Sequence, residues 1–287
     1  MQIAGTYIQQ RELPFTPGLV GVGTVIDARK GGLMGRWVAG KRVVFAPGPA
    51  LEGTWAQYAL APVEFCLPLA KDLSDSDGVN LLANATTVIG LLDRAGKAKT
   101  RSVVMTGAAG EVGRLFNVAA RGRGLSVINV VYRQDQAKLL RGAGAEHVLV
   151  GGMDDFRAQL STLAGKLGAT VAFDAVAGDL TRDLLAALPD GSEVVVFGRL
   201  SGQDVTFDGL AYLSGRHMEL SGFDVNLWLG SQSKFAVISI AKKAAMLLRQ
   251  GQGTRVQHRV SLSDLAIRFD DLQHDQTAGK TIVFPNG

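Results

Sequence analysis

The stretch Val103-Val104-Met105-Thr106-Gly107-Ala108-Ala109-Gly110-Glu111-Val112-Gly113 constrains this chain more than any other. An apolar run ends in a turn of small residues, and an amphipathic segment follows through Arg121. That pattern is strand, tight turn, helix. In such a unit a dinucleotide pyrophosphate lies against bare backbone. The helix that follows aims its free amides and positive dipole end at the anion. Gly110 is placed to let the backbone approach the phosphates, and Gly113 to let the helix pack closely on the strand. Ala108 stands where the first glycine of the usual G-x-G-x-x-G falls, so the match is to a variant. Taken alone it also fits a glycine-rich turn in any α/β protein. The candidate phosphate-binding residues are Gly107, Ala108, Gly110, Glu111, Val112 and Gly113.

One strand later, Ser126-Val127-Ile128-Asn129-Val130-Val131 reads as a buried parallel strand. A chain that binds NAD carries an Asp or Glu at its end, about 20 residues after the glycines, for the ribose 2′-hydroxyl. Here Val131, Tyr132 and Arg133 occupy that place. No carboxylate repels a 2′-phosphate there, and a guanidinium is placed to bind one. The expected cofactor is therefore NADPH, with Tyr132 and Arg133 beside its adenosine ribose. The alternative is that Arg133 only begins the next helix.

The 287 residues allow one large domain or two smaller ones. Apolar residues make up 47% and charged residues 20%, a globular composition. The net charge is +4, but the basic residues are scattered, whereas a nucleic-acid face needs a longer basic stripe. The single cysteine, Cys66, excludes an internal disulfide and reads as a core residue. One Cys and four scattered His argue against a zinc site. The sequence contains no signal peptide and no unbroken transmembrane run, so the expectation is a cytoplasmic protein without membrane or nucleic-acid partners.

From residue 102 to 223 strands and helices alternate. Strands are expected at 102–106, 126–131, 147–150, 170–174, 193–198 and 219–223. Helices are expected at 112–121, 134–141, 155–167 and 180–188. Such alternation implies a doubly wound parallel sheet, and six strands make a complete dinucleotide-binding unit. Residues 14–68 differ, with Gly, Pro and short β runs at 21–27, 40–46 and 53–60 that read as a small antiparallel barrel or sandwich. A helix is expected at 79–96, a long helix at 231–250, a strand at 258–262, a helix from Ser263 and a closing strand at 280–284. The tail strands are expected to rejoin the N-terminal part. The expected division is a discontinuous, mostly β domain at 1–91 with 224–287 and a Rossmann domain at 92–223.

Several ordered motifs resemble a medium-chain dehydrogenase/reductase of the zinc-independent branch, that of quinone oxidoreductases and 2-enoyl thioester reductases. They are Gly5-Thr6-Tyr7, Leu13-Pro14-Phe15-Thr16-Pro17-Gly18, Gly21-Val22-Gly23, Gly40-Lys41-Arg42-Val43, Gly53-Thr54-Trp55-Ala56-Gln57-Tyr58, Gly144-Ala145-Glu146-His147-Val148 and Gly279-Lys280. Lys41 replaces the acid of the family's G-D-R-V. The resemblance covers nearly the whole chain. It implies a Rossmann domain with a chaperonin-10-like catalytic domain, NADPH use and a homodimer. The segment 217–223 is expected to extend its sheet into a second subunit's. Family members begin several strands before Gly5-Thr6-Tyr7, so the N-terminal part is expected to be short.

The implied reaction transfers hydride from NADPH to a quinone, enone or enoyl thioester without metal. Tyr7 is the candidate hydrogen-bond donor to the carbonyl oxygen, as in the family's Gly-x-Tyr setting, although in some relatives that tyrosine only lines the pocket. Asn84 and Thr87, one turn apart, either face nicotinamide and substrate or serve as a cap and a core hydroxyl. Trp55, Phe223 and Trp228 either wall an apolar pocket, Phe223 beside the cofactor, or belong to the core. Phe197, Gly198 and Arg199 end the fifth strand, where the nicotinamide half crosses. Lys280 either reaches a cofactor phosphate or is solvated. Asp174 reads as a cap or turn residue. A catalytically silent NADPH-binding sensor or structural protein is the rival reading of another class, and a zinc alcohol dehydrogenase is excluded on ligand count.

Overall fold

A computed structural model describes residues 12–48, 51–250, 253–273 and 279–285. The elements begin with β1 (Gly21–Thr24), α1 (Gly32–Val38), β2 (Arg42–Phe45), β3 (Cys66–Pro68), α2 (Asp75–Asn80) and α3 (Thr86–Lys97). There follow β4 (Ser102–Thr106), α4 (Glu111–Arg121), β5 (Ser126–Val131), α5 (Gln134–Gly142), β6 (His147–Val150), α6 (Phe156–Leu167), β7 (Val171–Asp174), α7 (Asp179–Ala187), β8 (Glu193–Val196) and β9 (Glu219–Gly222). The chain continues with α8 (Val225–Gly230), α9 (Lys234–Gln250), β10 (Val256–Ser261), α10 (Leu262–Gln273) and β11 (Lys280–Phe284). Two compact units emerge, Met1–Thr86 with Ala244–Gly287, and Thr87–Lys243.

The second unit holds a parallel sheet in the order β6-β5-β4-β7-β8-β9, six strands among the described residues. The order reverses between β4 and β7, which makes the carboxyl ends of these two strands the topological switch point. Every residue of β4 is buried, as expected for a parallel strand covered on both faces. On one face Leu160 and Ala164 of α6 and Leu180, Leu184 and Leu185 of α7 pack on Val104, Ile128, Val130 and Ala172. Each such leucine contributes about 1.5–3 kcal/mol by leaving water. Elsewhere in this core Phe116 of α4 meets Phe173 of β7 edge-on, with centroids 5.5 Å apart.

In the first unit β1, β2 and β3 form an antiparallel sheet and β10 and β11 a parallel pair. The strand expected at 53–60 is not formed. Residues 53–55 instead bond to the irregular segment before β1, with the amides of Gly53, Thr54 and Trp55 donating to the carbonyls of Thr16, Gly18 and Pro17. The sheet's third strand is β3. The helix expected from residue 79 starts earlier, at Asp75, capped by Ser74, whose hydroxyl accepts from the Asp77 amide. It then passes through a π-helical stretch at Leu81–Ala85 before α3. The long helix expected from 231 begins at Lys234, after the separate short helix α8 capped by Asp224. Among the described residues no helix is long and apolar enough to cross a membrane.

Candidate functional site

The segments that follow the six parallel strands meet at the carboxyl edge of the second unit's sheet. Two of them form the turn and the wall around it. Gly107 leaves β4 with φ +58, a left-handed conformation that glycine adopts without cost. The Gly110 amide then donates to the Gly107 carbonyl at 2.9 Å, and Gly110 precedes the first turn of α4. A Cβ on Gly113 would lie 2.4 Å from the Ala108 carbonyl oxygen and 2.5 Å from its Cα. The helix therefore rests directly on the turn's backbone, and only glycine permits that approach. The amides of Glu111, Val112 and Gly113 open the helix, where position denies them an intrahelical acceptor. Glu111 pairs with Arg114 within α4. A closely packed helix start over a bare-backbone turn, at the switch point of a parallel sheet, fits a dinucleotide pyrophosphate.

The wall beside this turn comes from the connection after β7. Asp174 is fully buried. Its Oδ1 accepts from the Thr106 hydroxyl at 2.7 Å and the Val176 amide at 2.9 Å, and its Oδ2 accepts from the Thr181 hydroxyl at 2.6 Å. The Ala177 amide adds a longer contact to Oδ1 at 3.3 Å. The loop so held carries Ala175, whose methyl faces Gly107. The connection after β8 locks onto the same loop. Phe197 donates to the Asp174 carbonyl, Leu200 to that of Ala175 and Ser201 to that of Val176, at 2.8, 3.1 and 3.0 Å. Gly198 thus lies against Ala175 beside the turn. Arg199 folds onto its own loop, bonding the Gly202 and Gln203 carbonyls and Asp204.

At the end of β5 the Tyr132 ring lies over Gly151 and Gly152 after β6. Burial pushes its phenol above the ordinary tyrosine value, so it is neutral and able to donate at neutral pH. Arg133 precedes α5, and the Gln136 side chain accepts from its amide. Its guanidinium engages Asp135 through two bonds, Nε to Oδ1 and Nη2 to Oδ2, both 3.1 Å. The bond from Arg133 holds the Asp135 carboxyl below the usual range.

The structure thus gathers Gly107, Ala108, Gly110, Glu111, Val112, Gly113, Tyr132, Arg133, Phe197, Gly198 and Arg199 along one sheet edge. Other sequence candidates lie elsewhere. Phe223 and Trp228, with ring centroids 5.9 Å apart, line a cavity of about 470 Å³ with Gly90 and Arg94 of α3 and the starts of β8 and β9. Thr87 is buried in α3. In the first unit, Asn84 sits in the π-helical stretch and donates to Asn80 at 2.5 Å, while Asn80 donates to Thr254 at 2.6 Å. Trp55 lies in the segment bonded to Pro17, and Lys280 of β11 pairs with Val256 of β10. Tyr7 lies outside the described residues. Sequence reasoning missed Asp135 and the Asn80–Asn84 pair, and passed over Thr106. Polar residues closing apolar strands, at Thr106 and Asp174, were the available signal for the buried network.

The protein family described as zinc-binding dehydrogenase matches residues 112–239. No group of three or more His, Cys, Asp or Glu that could hold a metal ion occurs among the described residues. The mitochondrial enoyl-[acyl-carrier-protein] reductase of Arabidopsis thaliana is 26% identical over 236 residues, 79% of this chain and 61% of that protein. The quinone oxidoreductase of Rattus norvegicus is 28% identical over 196 residues, 68% of this chain and 58% of its own. The chain therefore spans about three fifths of the length of these relatives. A crystal structure from Mesorhizobium loti, assigned as an NADPH:quinone reductase, superposes with a TM-score of 0.89 at 29% identity, covering 99% of this chain and 81% of that one.

Proposed function

We propose that this chain, a member of the medium-chain dehydrogenase/reductase family in its quinone oxidoreductase and enoyl reductase branch, binds NADPH and reduces a quinone or an activated C=C bond. The observation that carries this reading is the Gly107–Gly113 turn at the switch point, with Arg133 at the end of the neighbouring strand. Bound NADPH would supply the hydride, and a positioned acid or water the proton that completes the reduction. The first-turn amides of α4 would hold the pyrophosphate, and Arg133 with Tyr132 would hold the 2′-phosphate end. The loops after β7 and β8, with Ala175 and Gly198, would wall the nicotinamide half. Tyr7 is the proposed donor to the substrate carbonyl oxygen, where negative charge develops as the substrate is reduced.

An enoyl thioester is the second substrate class, favoured by the likeness to the plant enoyl reductase. A homodimer accompanies this reading. β9 ends the sheet with one edge unpaired among the described residues, and a second copy of β9 would continue it. Light scattering that reports a monomer overturns the dimer.

Titration with NADPH and with NADH, each followed by 1,4-benzoquinone and crotonyl-CoA while absorbance of the reduced nicotinamide is recorded, tests the activity. Tighter binding of NADPH and its oxidation by either acceptor is expected, and the faster acceptor identifies the substrate class. Binding without oxidation points instead to a silent dinucleotide-binding protein.

A further inference from the structure

We infer that Asp135 sets how strongly this chain discriminates NADPH from NADH, by competing with the 2′-phosphate for the guanidinium of Arg133. The inference rests on the cofactor reading above and deepens it. The two bonds between Arg133 and Asp135 run in parallel at 3.1 Å, the fork-on-fork arrangement in which an arginine also grips a phosphate. The Nε–Nη2 edge of the guanidinium is therefore held by the protein's own carboxylate. Asp135 lies in the first turn of α5, two residues along the chain, so it stays beside any anion that Arg133 receives.

The pair is half exposed, with side-chain exposures of 51% and 68%. An exposed pair of this kind is screened by solvent and contributes little. A phosphate can thus displace it, but gives up part of its binding energy in doing so and ends beside a like charge. A dinucleotide without the phosphate pays nothing for Arg133, since the pair stays closed. Its ribose 2′-hydroxyl can donate to a carboxylate such as Asp135, the chemistry that an acid at this sheet edge provides for NAD. Arg133 alone would favour NADPH, and Asp135 pulls the ratio back towards NADH.

The test is a set of dissociation constants for NADPH and NADH, read by nicotinamide fluorescence at fixed ionic strength, for the wild type, Asp135→Asn, Arg133→Ala and the double variant. Asp135→Asn is expected to tighten NADPH about two- to fivefold, the range of one exposed ion pair, and to leave NADH unchanged or weaker. The gain for NADPH is expected to shrink when Arg133 is already alanine, because the competition acts through that side chain. A merely structural role in α5 would move both dinucleotides alike. Equal shifts, no shift, or a gain that persists in full without Arg133 overturns the inference and leaves the cofactor reading standing. A wild-type chain that binds neither dinucleotide overturns both.

Discussion

The Thr106 hydroxyl joins the ends of two strands across the point where the sheet reverses its order. It donates to Asp174 Oδ1 at 2.7 Å and accepts from the Ala175 amide at 2.8 Å. β4 and β7 are neighbours in the sheet, but the residues so linked are 68 positions apart. The glycine turn leaves one of these strands and the Ala175 wall leaves the other. The link therefore fixes the width of the crevice between them.

Asp174→Ala removes the acceptor of two hydroxyls and two amides, all inside the protein. Buried donors left without partners cost about 1–3 kcal/mol each, so a loss of about 3 kcal/mol or more is expected in urea unfolding. Thr106→Val deletes the donor to Asp174 and the acceptor of the Ala175 amide, and is expected to cost about 1–3 kcal/mol. If the network positions the turn, Thr106→Val also weakens NADPH binding in a sample that is still folded by circular dichroism.

Gly113→Ala places a methyl within 2.6 Å of three Ala108 backbone atoms. Either α4 or the turn must move. Overpacking of this kind costs about 1–3 kcal/mol, and the displaced helix start is expected to weaken NADPH binding measured by fluorescence titration. Unchanged affinity would show that the pyrophosphate does not depend on this helix.

Gly165→Ala is the matching control and predicts the opposite sign. Gly165 lies within α6, and a Cβ there meets nothing within 4 Å. Alanine is better than glycine in a helix interior by about 1 kcal/mol, so the melting temperature should rise while dinucleotide affinity stays the same.

Glu193 offers a pH test. Burial pushes its carboxyl up, but hydrogen bonds from Arg94 and Ser221 and the Arg94 charge outweigh this, so it lies below the ordinary glutamate value in the folded chain. A lowered folded value contributes stability that is present above the unfolded value and is lost as pH falls through the folded one. The melting temperature of Glu193→Gln is therefore expected to fall below wild type above about pH 5, with the gap closing below about pH 4.3. A gap that is independent of pH would mean that packing, rather than the carboxylate, carries the effect.

The sequence alone determined the Rossmann sheet. Its central strands β4, β5 and β7 are almost wholly buried, and local signals, Gly107 after an apolar run and Gly144 and Gly168 after helical segments, mark where elements end. β4, β5 and β6 accordingly have the expected bounds. The dinucleotide turn was legible for the same reason, because strand, small residues and helix follow one another within a dozen positions. Residues 53–60 were misread as a strand, and the amides of 53–55 donate instead to the carbonyls of 16–18, a choice that no local pattern reveals. Only tertiary structure decided that Asp174 ties β4 to β7 and that Phe223 and Trp228 turn towards Gly90 rather than the glycine turn. It also decided that Arg133 is already gripped by Asp135. Propensity and periodicity act over a few residues, whereas hydrogen bonds and packing between distant segments exist only once the chain has brought them together.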